Sequence, residues 1–314
     1  SENTVSDTAP AVVVEGLVKR YQGKPVVDGI SFNVQRGEIF GLLGPNGAGK
    51  TTTVEILEGL RQADGGRAEV LGLDVQRDTR RVKERIGVAP QTAALLPNLT
   101  ARELLDLWGS FYARALRPDD LLARMNLTEK ANARTQTLSG GQQQRLSLAL
   151  SLVGDPDLVF MDEPTTGLDP QARRSLWSVI EGLRDDGRTI LLTTHYLDEA
   201  ERLCDRVGIM DNGKLLALDT PRGLVRTHFP ERVIHFATSS GNTPETYRHL
   251  PGVLRAEHID EGTFALHSSA VQETLGALLA QAQAGQEEIG ELHLQTPTLE
   301  DVFLKLTGKT LRDE

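Results

Sequence analysis

The chain has 314 residues, 39% hydrophobic and 25% charged, which is enough apolar material for ordinary folded cores and room for about two domains of ~150 residues. A single cysteine, Cys204, excludes a disulfide scaffold. The 44 acidic and 34 basic residues leave a net charge of −10, which argues against nucleic acid as a partner; nucleotides stay open, because backbone N–H groups bind phosphate whatever the global charge.

Residues 1–10 are polar and acidic and read as a disordered lead-in, without the basic start and apolar centre of a signal peptide. From Ala11 to about Pro221, short β-rich runs alternate with helical patterns. The runs are Val12–Leu17, Glu38–Leu43, Leu158–Asp162, Thr189–Thr194 and Val207–Met210, and their apolar density predicts one buried, largely parallel sheet. Between about 97 and 155 the pattern turns helical, as in Ala101–Arg114 and Gln142–Leu152, and reads as a helical subdomain inserted into an α/β core. Asp211-Asn212-Gly213 predicts a hairpin turn into Lys214–Ala217.

Beyond Thr220-Pro221 the strand-like runs Arg232–Ala237, Val253–Ile259, Thr263–His267 and Glu291–Gln295 combine with helical Ala270–Ala284 and Leu299–Leu306. Thr298, with Asp301 three residues on, caps the last helix. Residues 222–314 thus read as a small α+β domain, and its six histidines fit no metal spacing. No apolar run approaches the ~20 residues of a membrane helix, so the expected location is cytoplasmic, with any membrane role routed through a partner chain.

Three segments carry chemistry. Gly44-Pro45-Asn46-Gly47-Ala48-Gly49-Lys50-Thr51 fits GxxxxGK[ST], directly after strand Ile39–Leu43 and before the helical run Thr52–Leu57. Its glycines let the backbone curl with N–H groups inward, Lys50 reaches β- and γ-phosphates, and the Thr51 hydroxyl is a Mg2+ ligand. The apolar strand Leu158–Asp162 ends in a carboxylate facing the crevice where α/β sheets bind ligands. Asp162 there suits Mg2+, and Glu163 is left to polarise a water as general base. Leu138-Ser139-Gly140-Gly141-Gln142 offers a capped helix start with exposed N–H groups. That is either an ordinary capped helix or a second anion site, which one nucleotide per chain makes surplus unless it serves a second copy.

Over about Val12–Pro221 these motifs, in this order, resemble the ATP-binding subunit of an ABC transporter. The resemblance implies a P-loop NTPase cassette, with a RecA-like core and antiparallel β and helical subdomains, in front of the α+β domain. It implies ATP and Mg2+ as ligands, and a homodimer in which Leu138–Gln142 serves the partner's nucleotide. It also implies separate transmembrane permease subunits that hold the protein on the inner face of the membrane. Gln91 falls at the Q-loop position, a Mg2+ and water ligand, and Gly167-Leu168-Asp169 at the dimer-interface D-loop. Asp169 also reads locally as an N-cap before Pro170. His195 falls at the switch-histidine position, and Tyr21, with Val26 beside it, at the adenine-stacking position. Gln295–Leu304 resembles the closing segment of drug-exporter-type ABC ATPases; its Leu299, Val302, Phe303 and Leu306 suit either a packed face or a partner surface. The alternative is a non-transport ABC protein acting as a nucleotide-gated regulatory or assembly module.

Overall fold

The computed structural model describes residues 9–92, 95–239, 241–260 and 262–309. Residues 1–8 of the expected lead-in and the terminal residues 310–314 lie outside the described residues. The chain forms two compact units that divide after Pro221.

In chain order the first unit runs β1 (Val12–Tyr21), β2 (Lys24–Val34), β3 (Ile39–Leu43), α1 (Lys50–Leu57), β4 (Gly65–Val70), β5 (Leu73–Asp74), α2 (Thr79–Lys83) and β6 (Ile86–Ala89). Then come α3 (Ala101–Gly109), α4 (Pro118–Arg124), α5 (Gly140–Ser151), β7 (Leu158–Asp162), α6 (Pro170–Asp185), β8 (Thr189–Thr194), α7 (Leu197–Leu203), β9 (Arg206–Asp211) and β10 (Lys214–Asp219).

Six strands form a sheet in the order β10-β9-β3-β8-β7-β6, parallel except for the β9–β10 hairpin. β3 and β8 are buried along their whole length, as sheets covered on both faces require, which explains the apolar run of β3 and the Ile190–Leu192 centre of β8. The hairpin turns at Asn212 and Gly213, both with positive φ, 49° and 76°, as the Asp-Asn-Gly signal predicts.

Two expectations fail. Val12–Leu17 does not join the parallel sheet; as part of β1 it pairs antiparallel with β2 and β4 in a separate sheet of order β2-β1-β4-β5. Apolar density reports burial, and β1 is buried at Val12, Val14 and Leu17, but it does not report which strand lies alongside. The helix predicted over Ala101–Arg114 also stops earlier, at Gly109, where the Ser110 hydroxyl donates back to the Leu107 carbonyl at 2.6 Å.

α3 to α5 supply the helical part, with α5 set close against β6: a Cβ on Gly87 would stand 2.1 Å from the Ser151 carbonyl oxygen. The second unit contains α8 (Pro221–His228, its first residue in the first unit), β11 (Arg232–Thr238), β12 (Val253–Asp260), β13 (Thr263–Ser268), α9 (Val271–Gly285), β14 (Ile289–Gln295) and α10 (Leu299–Thr307). Its strands form an antiparallel sheet in the order β12-β13-β11-β14. Ile234, Phe236, Tyr247, Phe264, Leu266 and Leu278 make its core. The Thr298–Asp301 capping box opens α10, whose Leu299, Val302 and Phe303 are buried and Leu306 half-buried.

Glu58, just past α1, is 5% exposed and lines a cavity of ≈ 440 Å³ beside Trp108 and Tyr112. Burial, with the charges of Asp162 and Glu55, pushes its carboxyl from 4.5 up to about 8. A folded-state value above the unfolded one means stability that is complete below pH 4.5 and is lost as pH rises toward 8, each pKa unit being worth ~1.4 kcal/mol. Glu58→Gln is therefore expected to flatten the decline in urea midpoint between pH 5 and 8; an unchanged slope would contradict this account of Glu58.

Candidate functional site

The crevice at the carboxyl ends of β3, β7 and β8 gathers most of the motif residues. Gly44–Thr51 turns from β3 into α1, with Gly49 as the helix N-cap at φ 99°. The turn is fixed by backbone approach rather than by side chains. A Cβ at Gly44 would sit 2.3 Å from the Met210 carbonyl oxygen, and one at Gly49 2.5 Å from that of Val26. The Gly213 N–H donates to the Ala48 carbonyl at 3.1 Å, so the hairpin turn forms one wall of the loop. Pro45, Asn46 and Gly47 stand at its more open side, and Thr51 and Thr52 occupy the first turn of α1.

Lys50 is 5% exposed and folds over the loop, donating to the Gly44 carbonyl at 2.7 Å and the Pro45 carbonyl at 3.1 Å. Its Nζ lies 3.8 Å from Glu163 Oε1. The Thr51 hydroxyl reaches both carboxyl oxygens of Asp162 at 3.5 Å.

Glu163 is the centre of the arrangement. It is 9% exposed and holds φ at 45°, a left-handed conformation costly for a residue with a Cβ. Its N–H donates to the Thr193 hydroxyl at 3.0 Å, and the same hydroxyl donates to Asp162 Oδ1. Gln91 Nε2 donates to Glu163 Oε2 at 3.1 Å, the Thr166 hydroxyl donates to it at 3.2 Å, and His195 Nδ1 stands 3.2 Å away. The close approach of His195 lowers the Glu163 pKa from 4.5 most, burial opposes it, and the charges of His195 and Lys50 add to the lowering. Glu163 thus contributes stability that is complete above pH 4.5 and fades as pH falls through its depressed value.

Other motif residues lie elsewhere. Ser139 caps α5 in a capping box with Gln142, its hydroxyl accepting from the Gln142 N–H at 3.3 Å and its own N–H donating to Gln142 Oε1 at 2.9 Å. Asp169 caps α6 through two 2.9 Å bonds from the Gln171 and Ala172 N–H groups. A Cβ on Gly141 would stand 2.9 Å from Ala172 Cβ, so the starts of α5 and α6 come together; Ser139, Gly140 and Asp169 are exposed there. Tyr21, at the end of β1, is 39% exposed, with Lys19 Nζ 5.5 Å and Arg61 Cζ 5.8 Å from its ring. Val26 is half-buried, with its carbonyl against Gly49.

Sequence reading missed Thr193 and Thr166. Thr193 acts through the parallel register that sets it beside Asp162, which no local pattern announces. Thr166 was visible only as the third residue after Glu163 in a turn.

The ABC transporter family model matches residues 27–166. The chain is 37% identical over 311 residues to the linearmycin resistance ATP-binding protein LnrL of Bacillus subtilis (strain 168), covering 95% of this chain and 99% of that one. It is 41% identical over 314 residues to the Nod factor export ATP-binding protein I of Ralstonia nicotianae, covering 98% and 96%. Among solved structures, it is similar to a dimeric ATP-binding cassette in a post-hydrolysis state bound to ADP and Pi, at TM-score 0.60 and 25% identity, over 67% of this chain and 98% of that one.

Replacing His195 with Ala removes the contact that lowers Glu163 most. In a 13C-detected titration of the Glu163 carboxyl, wild type is expected to titrate below 4.5 and His195→Ala higher; equal midpoints would dissociate the two side chains.

Proposed function

The chain belongs to the ATP-binding subunits of ABC transporters, which makes it an ATPase, and from that premise we propose that it powers export through separate membrane subunits. No helix among its described residues is long and apolar enough to cross a membrane, and in this reading the pathway across the bilayer is supplied by other chains. The names of its relatives, a resistance protein and an export protein, support export as the direction of transport.

The observation that carries the catalytic reading is the convergence of Gln91, Thr166 and His195 on one oxygen of a buried carboxylate whose other oxygen faces Lys50. In this reading Glu163 is the general base. Its lowered pKa keeps it ionised, Gln91 and His195 fix the direction of its free lone pairs, and it orients the water that attacks the γ-phosphorus. Lys50 and the N–H groups of Gly44–Thr51 hold the β- and γ-phosphates and offset charge as it shifts toward the leaving oxygen. Tyr21 and Val26 receive the base, Tyr21 by stacking.

The donors around Thr51 are hard oxygens, a hydroxyl at 3.5 Å from both oxygens of Asp162, with the Gln91 amide on Glu163. That set fits Mg2+, which prefers one or two protein oxygens plus substrate phosphates and water. Thr51, Asp162 and Gln91 are the residues that would hold it; bound there, the ion neutralises phosphate charge.

Ser139, Gly140, Gly141 and Gln142, with the neighbouring Asp169, form the face offered to a second copy. The exposure of Ser139, Gly140 and Asp169 at paired helix starts supports this, because the N–H groups of Gly140 and Gly141 in the first turn of α5 suit an anion carried by another subunit. Two ATP molecules then sit between two copies, and hydrolysis removes the contacts that favour the closed dimer.

Glu163→Gln is expected to keep ATP binding, to abolish nearly all phosphate release and to accumulate a nucleotide-bound dimer in light scattering; turnover within a few-fold of wild type would remove Glu163 from the base role. Ser139→Arg and Lys50→Ala are each expected to be inactive alone. Mixed, they create one intact site per heterodimer, so activity is expected to return; no recovery at any ratio would count against a shared site.

A further inference from the structure

A second polar cluster lies behind the phosphate crevice, where α6 packs on α7. Glu199, in the first turn of α7, is fully buried, and its Oε1 accepts the indole N–H of Trp177 on α6 at 3.0 Å. Burial pushes its pKa up, opposed by the Thr194 and Thr165 hydroxyls, the Trp177 indole and the charge of Arg173. Thr194 is the residue before His195. Thr165 sits between Glu163 and Thr166, in the turn that donates to the Glu163 carboxylate. Arg173, one turn into the helix capped by Asp169, places its guanidinium 4.2 Å from the ring centre of Tyr196 and 3.5 Å from Asp198.

The site is under-satisfied. Among the described residues Glu199 Oε2, Thr165 Oγ1 and Arg173 Nε are buried without a hydrogen-bond partner. An apolar side chain would fill this dry space between two helices without the desolvation penalty, so packing alone does not account for a carboxyl. What the carboxyl adds is a polar tie from the first turn of α7, just after His195, to Trp177 on α6.

We propose that Glu199 is a positioning residue of the ATPase: with Trp177 it ties the helix that starts at Asp169 to the segment that aims His195 at Glu163. The proposal rests on the reading of Glu163 and His195 given above. Glu199 touches neither nucleotide nor water. It acts by holding α6 against the start of α7, where Arg173 of α6 also stacks on Tyr196, so its loss misaligns the His195 imidazole that contacts Glu163 and leaves the Gly44–Thr51 loop intact. A shift of α6 at the exposed Asp169 end reaches the crevice through the same contacts.

The test is steady-state ATP hydrolysis by the full chain, with circular dichroism to verify folding. Glu199→Ala is expected to lower kcat by at least ~10-fold while KM for ATP stays within ~2-fold. Glu199→Gln keeps an oxygen for the Trp177 indole and gains an N–H₂ for a neighbouring hydroxyl, and is expected to recover kcat to within ~3-fold of wild type. Wild-type kcat in Glu199→Ala, a KM rise accounting for the loss, or Gln no better than Ala would each overturn the proposal. Should Glu199→Ala not fold, Trp177→Phe decides, since it removes the indole N–H and keeps an aromatic ring on α6, the folding of this smaller side chain's variant being verified by the same circular dichroism. A kcat reduced ~3-fold or more at unchanged KM upholds the link, and wild-type kcat refutes it. Glu163→Gln assayed alongside keeps the two readings apart: its full activity would sink the general-base assignment, whereas the Glu199 link is judged on the Glu199 and Trp177 variants.

Discussion

Backbone proximity around residues 44–51 is the constraint on which the rest of the first unit depends. Two carbonyl oxygens, from Met210 on β9 and Val26 on β2, approach Gly44 and Gly49 to distances at which any Cβ would collide. The loop is therefore clamped between the hairpin turn and the antiparallel sheet, and its N–H groups are oriented by main chain instead of by mobile side chains. Preorganisation of this kind is what phosphoryl transfer asks of a protein, because positioning and charge stabilisation make up most of the catalysis.

Around that fixed loop the charges are arranged in tiers. Lys50 folds back onto loop carbonyls and stands near Glu163, so cation and base occupy one small volume without direct hydrogen bonding. Glu163 holds its left-handed φ because the turn after β7 is anchored on both sides, through the Thr193 hydroxyl and through Thr166. Behind it the Trp177–Glu199 bond and the stacking of Arg173 on Tyr196 join α6 to the segment following His195. Among the described residues, some groups of this buried polar cluster remain unmatched.

Legibility from sequence followed the range of the interactions involved. The glycine-lysine loop, the Asp-Asn-Gly hairpin and the capping boxes at Ser139–Gln142 and Thr298–Asp301 all join residues within a few positions of each other, and all were readable. Strands β7 and β8 were found to the residue because burial on both faces favours apolar and β-branched residues, Leu158–Met161 in one and Ile190–Leu192 between threonines in the other. The sheet membership of Val12–Leu17 was misread, because its apolar density is the same whichever neighbour it pairs with. Gln91 and Glu163 meet across 72 positions, and nothing near either residue announces the bond.

By itself the sequence determined the elements whose geometry is closed locally: the phosphate-type loop between strand and helix, the capped helix starts, the hairpin, and the order of motifs along the chain. Only the tertiary structure decided which strands lie side by side, that Gln91, Thr166 and His195 share one carboxylate oxygen, and that Glu199 lies buried against Trp177. The physical reason is that hydrogen bonds within a turn are dictated by dihedral preferences of neighbouring residues. Contacts across helices and strands are set instead by the packing of the whole core, which no short stretch of chain encodes.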